Sequence, residues 1–175
     1  MVNKLKRAPG IFLTGFMGSG KSTVGHALAD NLGWDFVDLD ALIEAHQQTK
    51  ISDIFQTRGE PEFRRLETET IRGLLAKIVR GVPSVVALGG GAFVQQENYD
   101  LIESQGVSIW LDCPLATLLA RIPDDGSRPL ANDREAFRRL YEERRDAYSR
   151  ADFRIDATCE VGAAVDQILA LPFWK

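Results

Sequence analysis

The chain has 175 residues, 45% hydrophobic and 26% charged, which suits one globular domain with a full core and leaves little room for a second. A formal net charge of −4 argues against a nucleic-acid binder held by a basic surface and favours a small-molecule partner. No apolar run approaches the roughly 18 residues of a membrane span, the stretch after Lys4, Lys6 and Arg7 breaks at glycines without a cleavage site, and Cys113 and Cys159 have neither metal-ligand nor disulfide spacing, so a reducing cytoplasm is expected.

Residues 10–14 read as a strand and run into Gly15-Phe16-Met17-Gly18-Ser19-Gly20-Lys21-Ser22, a full G-x-x-x-x-G-K-S match, with a helical pattern over 21–31 behind it. Glycines let the backbone wrap phosphate oxygens with its N–H groups, and the helix adds the positive end of its dipole. Lys21 supplies a point charge for the β- and γ-phosphates, and the Ser22 hydroxyl is placed to ligate Mg²⁺. The motif alone fits a small-molecule kinase, a GTPase switch or a mechanical ATPase. A GTPase needs a late Asn-Lys-x-Asp, and the only Asn-Lys is Asn3-Lys4, ahead of the loop and with no Asp two residues on. A mechanical ATPase usually needs a larger domain. The kinase class leads.

A second strand at 35–38 ends in Asp38-Leu39-Asp40. If strand geometry persists, the two carboxylates share one side, with one serving the metal and one an acceptor hydroxyl. The plain alternative is that Asp40 caps a helix starting at Ala41. From 61 to 80, Phe63, Leu66, Ile71, Leu74, Leu75, Ile78 and Val79 fall largely on one helical face. Arg64 sits in the first turns of that helix, where the dipole disfavours a cation; an anionic ligand, or pairing with Glu60 and Glu67, would resolve the conflict. A strand at 84–88 carries no terminal acid and runs instead into Gly89-Gly90-Gly91, where unusual backbone angles and close ligand approach are available, or simply a loop.

A fourth strand is expected at 107–111, followed by a polar segment, Arg121-Ile-Pro-Asp-Asp-Gly-Ser-Arg128-Pro-Leu130, whose prolines and glycine exclude helix. It reads as a lid carrying arginine onto nucleotide phosphates, or as an ordinary exposed loop. The helical pattern at 133–151 opens with Asn132 and Glu135 at N-cap and N3 spacing. Phe137, Leu140, Tyr141 and Tyr148 mark its inward stripe, and Arg144 lies on that stripe; it needs a partner there or must snorkel outward. Arg138, Arg139 and Arg145 read as solvated charges or ordinary salt bridges. The fifth strand is 153–156. Five alternations of strand and helix give an α/β fold with a parallel sheet and helices on both faces, its ligands beyond the carboxyl ends of the strands.

Taken together, Gly18-Ser19-Gly20-Lys21-Ser22-Thr23, Asp38-Leu39-Asp40, Phe63-Arg64-Arg65-Leu66-Glu67, Gly89-Gly90-Gly91, Arg128-Pro129-Leu130 and Arg144 four residues before Tyr148 resemble the shikimate kinase family, in register over nearly the whole chain. The chain departs from the family in having Asp146-Ala147 where Pro-Leu often precedes the tyrosine. The resemblance implies a three-layer P-loop NTPase fold like the nucleoside monophosphate kinases. It would have a five-stranded parallel sheet, a single kinase domain over 1–175, a substrate-binding region at 41–70 and a mobile lid at 121–132. It implies ATP and Mg²⁺, and phosphorylation of the shikimate 3-hydroxyl on the route to chorismate and the aromatic amino acids. From composition, and for the monomer by default, a cytoplasmic, monomeric protein with no membrane or nucleic-acid partner is expected. By the same resemblance Asp40, Arg64, Arg144, Gly89, Gly90 and Gly91 hold shikimate. Ser22 and Asp38 serve the metal, and Gly18, Ser19, Gly20, Lys21, Ser22 and Thr23 hold ATP. Lys21, Asp40 and Arg128 act on the transfer, and Arg121 stacks on adenine. A gluconate-type sugar-acid kinase is the nearest alternative.

Overall fold

The structure, a computed structural model, describes residues 10–121 and 133–174. In chain order the elements are β1 (Gly10–Thr14), α1 (Lys21–Leu32), β2 (Asp35–Asp38), α2 (Leu39–Gln47), α3 (Ile51–Arg58), α4 (Glu60–Val79), β3 (Ser84–Ala87), a 3₁₀ turn (Ala92–Val94) and α5 (Gln96–Gln105). There follow β4 (Val107–Asp112), α6 (Leu115–Arg121), α7 (Arg134–Tyr148), β5 (Phe153–Asp156), α8 (Val161–Leu169) and a closing 3₁₀ turn (Pro172–Trp174).

The strands form one five-stranded parallel sheet in the order β2-β3-β1-β4-β5. Strands buried on both faces favour near-continuous apolar runs, and β1, β3 and β4 are buried throughout, with Thr14, Ser84, Ser108 and Asp112 as their polar members. The edge strands β2 and β5 expose the acids and Arg154 that they carry. Alternation along β1 assigns the layers. Gly10 and Phe12 face Ile78 of α4, while Leu13 faces Gly25 of α1 on the other side. α1 packs in turn on α8, and α4 on α2, α3 and α5. The expected α/β sandwich is present.

Bounds shift where local chemistry overrides pattern. β1, β2 and β5 lie where expected, β3 stops one residue earlier at Ala87, and β4 runs one further to Asp112. Val79 does not belong to the buried stripe of α4; it closes that helix 57% exposed. α7 is capped not by Asn132, which lies outside the described residues, but by Asp133. One Asp133 carboxylate oxygen accepts from the N–H groups of Glu135 and Ala136 at 3.1 and 3.0 Å. Moving the cap by one residue puts Glu135 too early for the reciprocal capping bond expected of it.

Order in this sheet depends on close approach as well as apolar character. A β-carbon on Gly106, at the start of β4, would lie 2.5 and 2.6 Å from ring carbons of the fully buried Phe12. Gly106→Ala is therefore expected to cost ~1–3 kcal/mol by overpacking and to lower the melting temperature by several degrees. A melt within one degree of the parent would contradict this packing.

Candidate active site

β1 sits between β3 and β4, so the loop leaving its carboxyl end emerges where successive connections diverge to opposite sides, the usual ligand crevice of such sheets. That loop is the phosphate cradle, 15–22. Gly15 (φ 144°) and Gly20 (φ 91°) adopt backbone angles that other residues rarely take, and a β-carbon on Gly15 would meet the Leu111 carbonyl oxygen at 2.7 Å. Lys21 Nζ donates to the Gly15 and Phe16 carbonyls at 2.9 and 3.0 Å, which holds its ammonium over the loop.

Ser22, in the first turn of α1, donates to Asp38 Oδ2 at 2.7 Å; Asp38 Oδ1 accepts the Ala41 N–H at 3.2 Å and so caps α2. The expected alternation of Asp38, Leu39 and Asp40 fails because the strand ends at Asp38 and α2 begins at Leu39. Nor does Asp40 cap a helix from Ala41; it lies in the first turn of α2. Both carboxylates still line one cavity, because leaving a strand for a helix turns the chain by enough to replace the lost alternation. Burial, and next the charge of Asp38, hold the Asp40 carboxyl above the usual range, against the opposing pull of Lys21 and Arg64.

Across the cavity stands the glycine run. None of Gly89, Gly90 and Gly91 has a positive φ, so the expected need for unusual angles is not what glycine supplies here. What it supplies is room. A β-carbon on Gly89 would lie 2.5 Å from an Asp40 carboxylate oxygen, one on Gly90 2.9 Å from Arg144 Nη1, and one on Gly91 2.6 Å from Arg64 Nη2. Each glycine has one charged side chain laid against it.

The two arginines differ in company. Arg64 is gripped by Glu60 at 3.2 Å and by Glu67 at 3.0 Å, so the pairing expected as one option is present, and its guanidinium also faces the cavity. Arg144 lies 5.7 Å from the centre of the Phe16 ring, beside the Tyr148 hydroxyl, with no carboxylate in salt-bridge range among the described residues. It has not snorkelled away. Glu67 is 1% exposed, and burial raises its carboxyl to about 7 even though Arg64 pulls the other way. The charge rule that singles out Arg144 applies equally to Glu67, which lies among Phe63, Leu66 and Ile71 on the buried stripe of α4.

The cavity, about 1260 Å³, continues past 18–23 to Arg121 and to Ala157, Thr158, Cys159, Glu160 and Val161, a loop with no motif to announce it. Arg121 is tied to the Ala157 carbonyl at 2.9 Å. Gly89 is not itself part of the lining but backs Asp40. Arg128 and the rest of the expected lid, 122–132, lie outside the described residues. Arg145 is not a solvated charge. It donates to Asp112 at 3.2 Å and to the Tyr141 hydroxyl at 2.6 Å, over the Trp110 ring, because its place on α7 turns it toward β4.

The shikimate kinase family model matches residues 17–171. A shikimate kinase of Sulfurihydrogenibium sp. (strain YO3AOP1) is 45% identical over 148 residues, 84% of this chain and 87% of that protein. Among solved structures, shikimate kinase from Acinetobacter baumannii in complex with shikimate superposes with a TM-score of 0.84 at 33% identity, over 94% of this chain and 93% of that one. A gluconokinase from Sinorhizobium meliloti 1021 superposes with a TM-score of 0.59 at 20% identity, over 94% and 91%, a likeness of fold alone.

The buried Glu67 carboxyl makes a prediction about stability. In the folded protein it binds its proton up to about 7, whereas unfolded it releases it near its ordinary 4.5. The folded state therefore holds the extra proton across this window, and stability should fall as pH rises through it and then level off. Glu67→Gln removes that contribution, leaving a smaller fall of the same sign from Asp40. Denaturant unfolding at about pH 5 and about pH 8 reads the difference. An equal fall in parent and variant would contradict the assignment.

Proposed function

The chain belongs to the shikimate kinase family, and on that premise we propose that it transfers the γ-phosphate of ATP to the 3-hydroxyl of shikimate. The products are shikimate 3-phosphate, on the route to chorismate and the aromatic amino acids, and ADP. The observation that carries the reading is the convergence of one carboxylate and two guanidinium groups, Asp40, Arg64 and Arg144, on the glycine wall of a cavity whose other side is the phosphate cradle.

Shikimate is a hydroxylated carboxylic acid, and the site offers complementary groups. Arg64 and Arg144 clamp the carboxylate, the planar fork of each guanidinium matching its two oxygens. Gly90 and its neighbours form the wall against which the ring lies. Asp40 accepts the hydrogen bond of the 3-hydroxyl and takes its proton as that oxygen bonds to the γ-phosphorus and the bond to the β–γ bridging oxygen breaks. A carboxyl held above its usual range is better matched to that task than an ordinary aspartate. Lys21, with the loop N–H groups of Gly18, Ser19, Gly20, Ser22 and Thr23, balances charge on the phosphates. Arg128, carried on the 121–132 lid, meets the transferring group when the lid closes and excludes water. Arg121, anchored at Ala157, offers its flat guanidinium to adenine.

Among the described residues no group of three or more acidic, histidine or cysteine side chains could enclose a metal ion. That suits Mg²⁺, which keeps most of its ligands as water and phosphate and takes only one or two from protein. The hydrogen-bonded Ser22 hydroxyl and Asp38 carboxylate fit those positions. Mg²⁺ bound there would neutralise charge on the β- and γ-phosphate oxygens.

The sugar-acid kinase alternative is not favoured, since its likeness is confined to fold. The reading takes the chain as a single kinase domain acting as a monomer. No helix among the described residues is long and apolar enough to cross a membrane, and the free Cys113 and Cys159 suit a reducing cytoplasm.

ADP release measured with shikimate, with gluconate and with no acceptor should show turnover on shikimate alone; release independent of acceptor, or favouring gluconate, would overturn the reading. Arg64→Ala and Arg144→Ala should each raise the shikimate KM at least ~10-fold, since a hydrogen bond to a charged group is worth ~1.5–3 kcal/mol and ~1.4 kcal/mol is one decade. The ATP KM should stay near the parent value. Arg138→Ala, at an exposed position on the same helix, is the control. Equal losses from all three would remove the clamp from these residues.

A further inference from the structure

The glycine wall has little to hold it in place. At and beside the run, the backbone bonds are Leu88 N–H to Leu13 at 3.0 Å, Ala92 N–H to Gly89 at 3.0 Å and Val94 N–H to Gly91 at 3.3 Å, and glycine carries no side chain to pack. A run of glycines also loses more conformational freedom on folding than any other sequence. Yet three charged groups must rest against it at near-contact distance. Two fully buried polar side chains from outside the cavity lining reach its backbone.

Tyr148, the last residue of α7, donates its hydroxyl to the Gly90 carbonyl at 2.6 Å. It is 1% exposed with its ring against Trp110, and its hydroxyl lies beside Arg144, one turn earlier on the same helix. Asn98, in α5, is 0% exposed and has its amide fully used. Nδ2 donates to the Ala92 carbonyl at 3.0 Å and to Glu67 Oε2 at 3.4 Å, and Oδ1 accepts from the Thr68 hydroxyl at 2.7 Å. Glu67 in turn grips Arg64, whose guanidinium lies against Gly91, the residue before Ala92. The two side chains follow one plan. Each holds the backbone at or beside one glycine and also reaches the arginine lodged there, directly in one case and through a carboxylate in the other.

We infer that Tyr148 and Asn98 are positioning residues for the acid substrate, each fixing one arginine and the stretch of glycine wall behind it as a unit. Neither needs to touch the substrate. Burial lifts the Tyr148 phenol to about 12, so its proton stays available for the Gly90 carbonyl at any working pH. Buried polar groups so fully paired specify one arrangement, since every alternative leaves a donor or acceptor unmet. The inference rests on reading Arg64 and Arg144 as the carboxylate clamp.

Tyr148→Phe removes one oxygen and keeps the ring; Asn98→Asp keeps the shape but turns the donor facing Glu67 and Ala92 into an acceptor. Each should raise the shikimate KM about 10-fold, one decade corresponding to the loss of one well-placed hydrogen bond, with the ATP KM unchanged. Combining Asn98→Asp with Glu67→Gln exchanges amide and carboxylate between the two positions, and should recover part of the loss through a favourable coupling energy. Asn98→Ser substitutes if the charged variant does not fold. Arg64→Ala and Arg144→Ala are measured alongside. If they leave the shikimate KM unchanged, the clamp reading itself fails. If they raise it while Tyr148→Phe and the Asn98 variants lower only the melting temperature, the clamp stands and the positioning roles are wrong.

Discussion

Three missing β-carbons decide the shape of this site. At Gly89, Gly90 and Gly91 the space that any other residue would fill is taken by Asp40, Arg144 and Arg64, each within 3 Å of where that carbon would stand. The run follows directly from β3, a fully buried strand whose position is fixed by pairing with β1 and β2. Its backbone, anchored further by Tyr148 at the Gly90 carbonyl and Asn98 at the Ala92 carbonyl, is a common surface on which three side chains from α2, α4 and α7 are gathered. Those helices are far apart in sequence. Without the close approach, their charged ends would stand off from one another by at least the thickness of a methyl group.

Gathering charge in a partly buried cavity has an electrostatic cost that the site distributes. Asp40 and Glu67 are both raised by burial, and Arg64 opposes the shift in each. Arg64 therefore serves two carboxylates of its own chain while its guanidinium also faces the cavity. Arg144 has no such partner among the described residues and rests on the Phe16 ring. An uncompensated cation at a cavity wall favours an anionic ligand, because pairing recovers solvation lost on burial. Arg145, next in sequence, is already neutralised by Asp112. This contrast separates a cavity-facing guanidinium from one paired within the fold.

Much of this was legible in the sequence because the local rules and the fold agree. The strands lie where continuous apolar runs place them, and the cradle is where eight consecutive residues require it. The misreadings share a physical origin in effects that act across the chain. Asp38 and Asp40 share a cavity through a strand-to-helix turn, not through strand alternation. The glycines admit other side chains instead of adopting rare angles, which no single-segment pattern reveals. Arg145 takes the salt-bridge option of its two readings, but its partner, an acid on β4, is one that periodicity within its own helix cannot name. The 157–161 loop lines the cavity with residues of no distinctive type, so only the fold could place it.

Glycine serves here as room for a side chain, so filling that room tests the Arg64 side of the cavity apart from the nucleotide side. The atoms a new β-carbon would meet at Gly91 are the far end of the Arg64 side chain, which gives way only by straining its pairing with Glu60 and Glu67. The most direct measurement is calorimetric titration of Gly91→Ala with shikimate and with ATP, beside its thermal melt. Shikimate binding is expected to weaken at least ~10-fold, as for one displaced charged contact, with ATP affinity close to the parent and the melting temperature somewhat lowered. Unchanged shikimate affinity in the folded variant would contradict it, since Arg64 would then not need the space that Gly91 leaves.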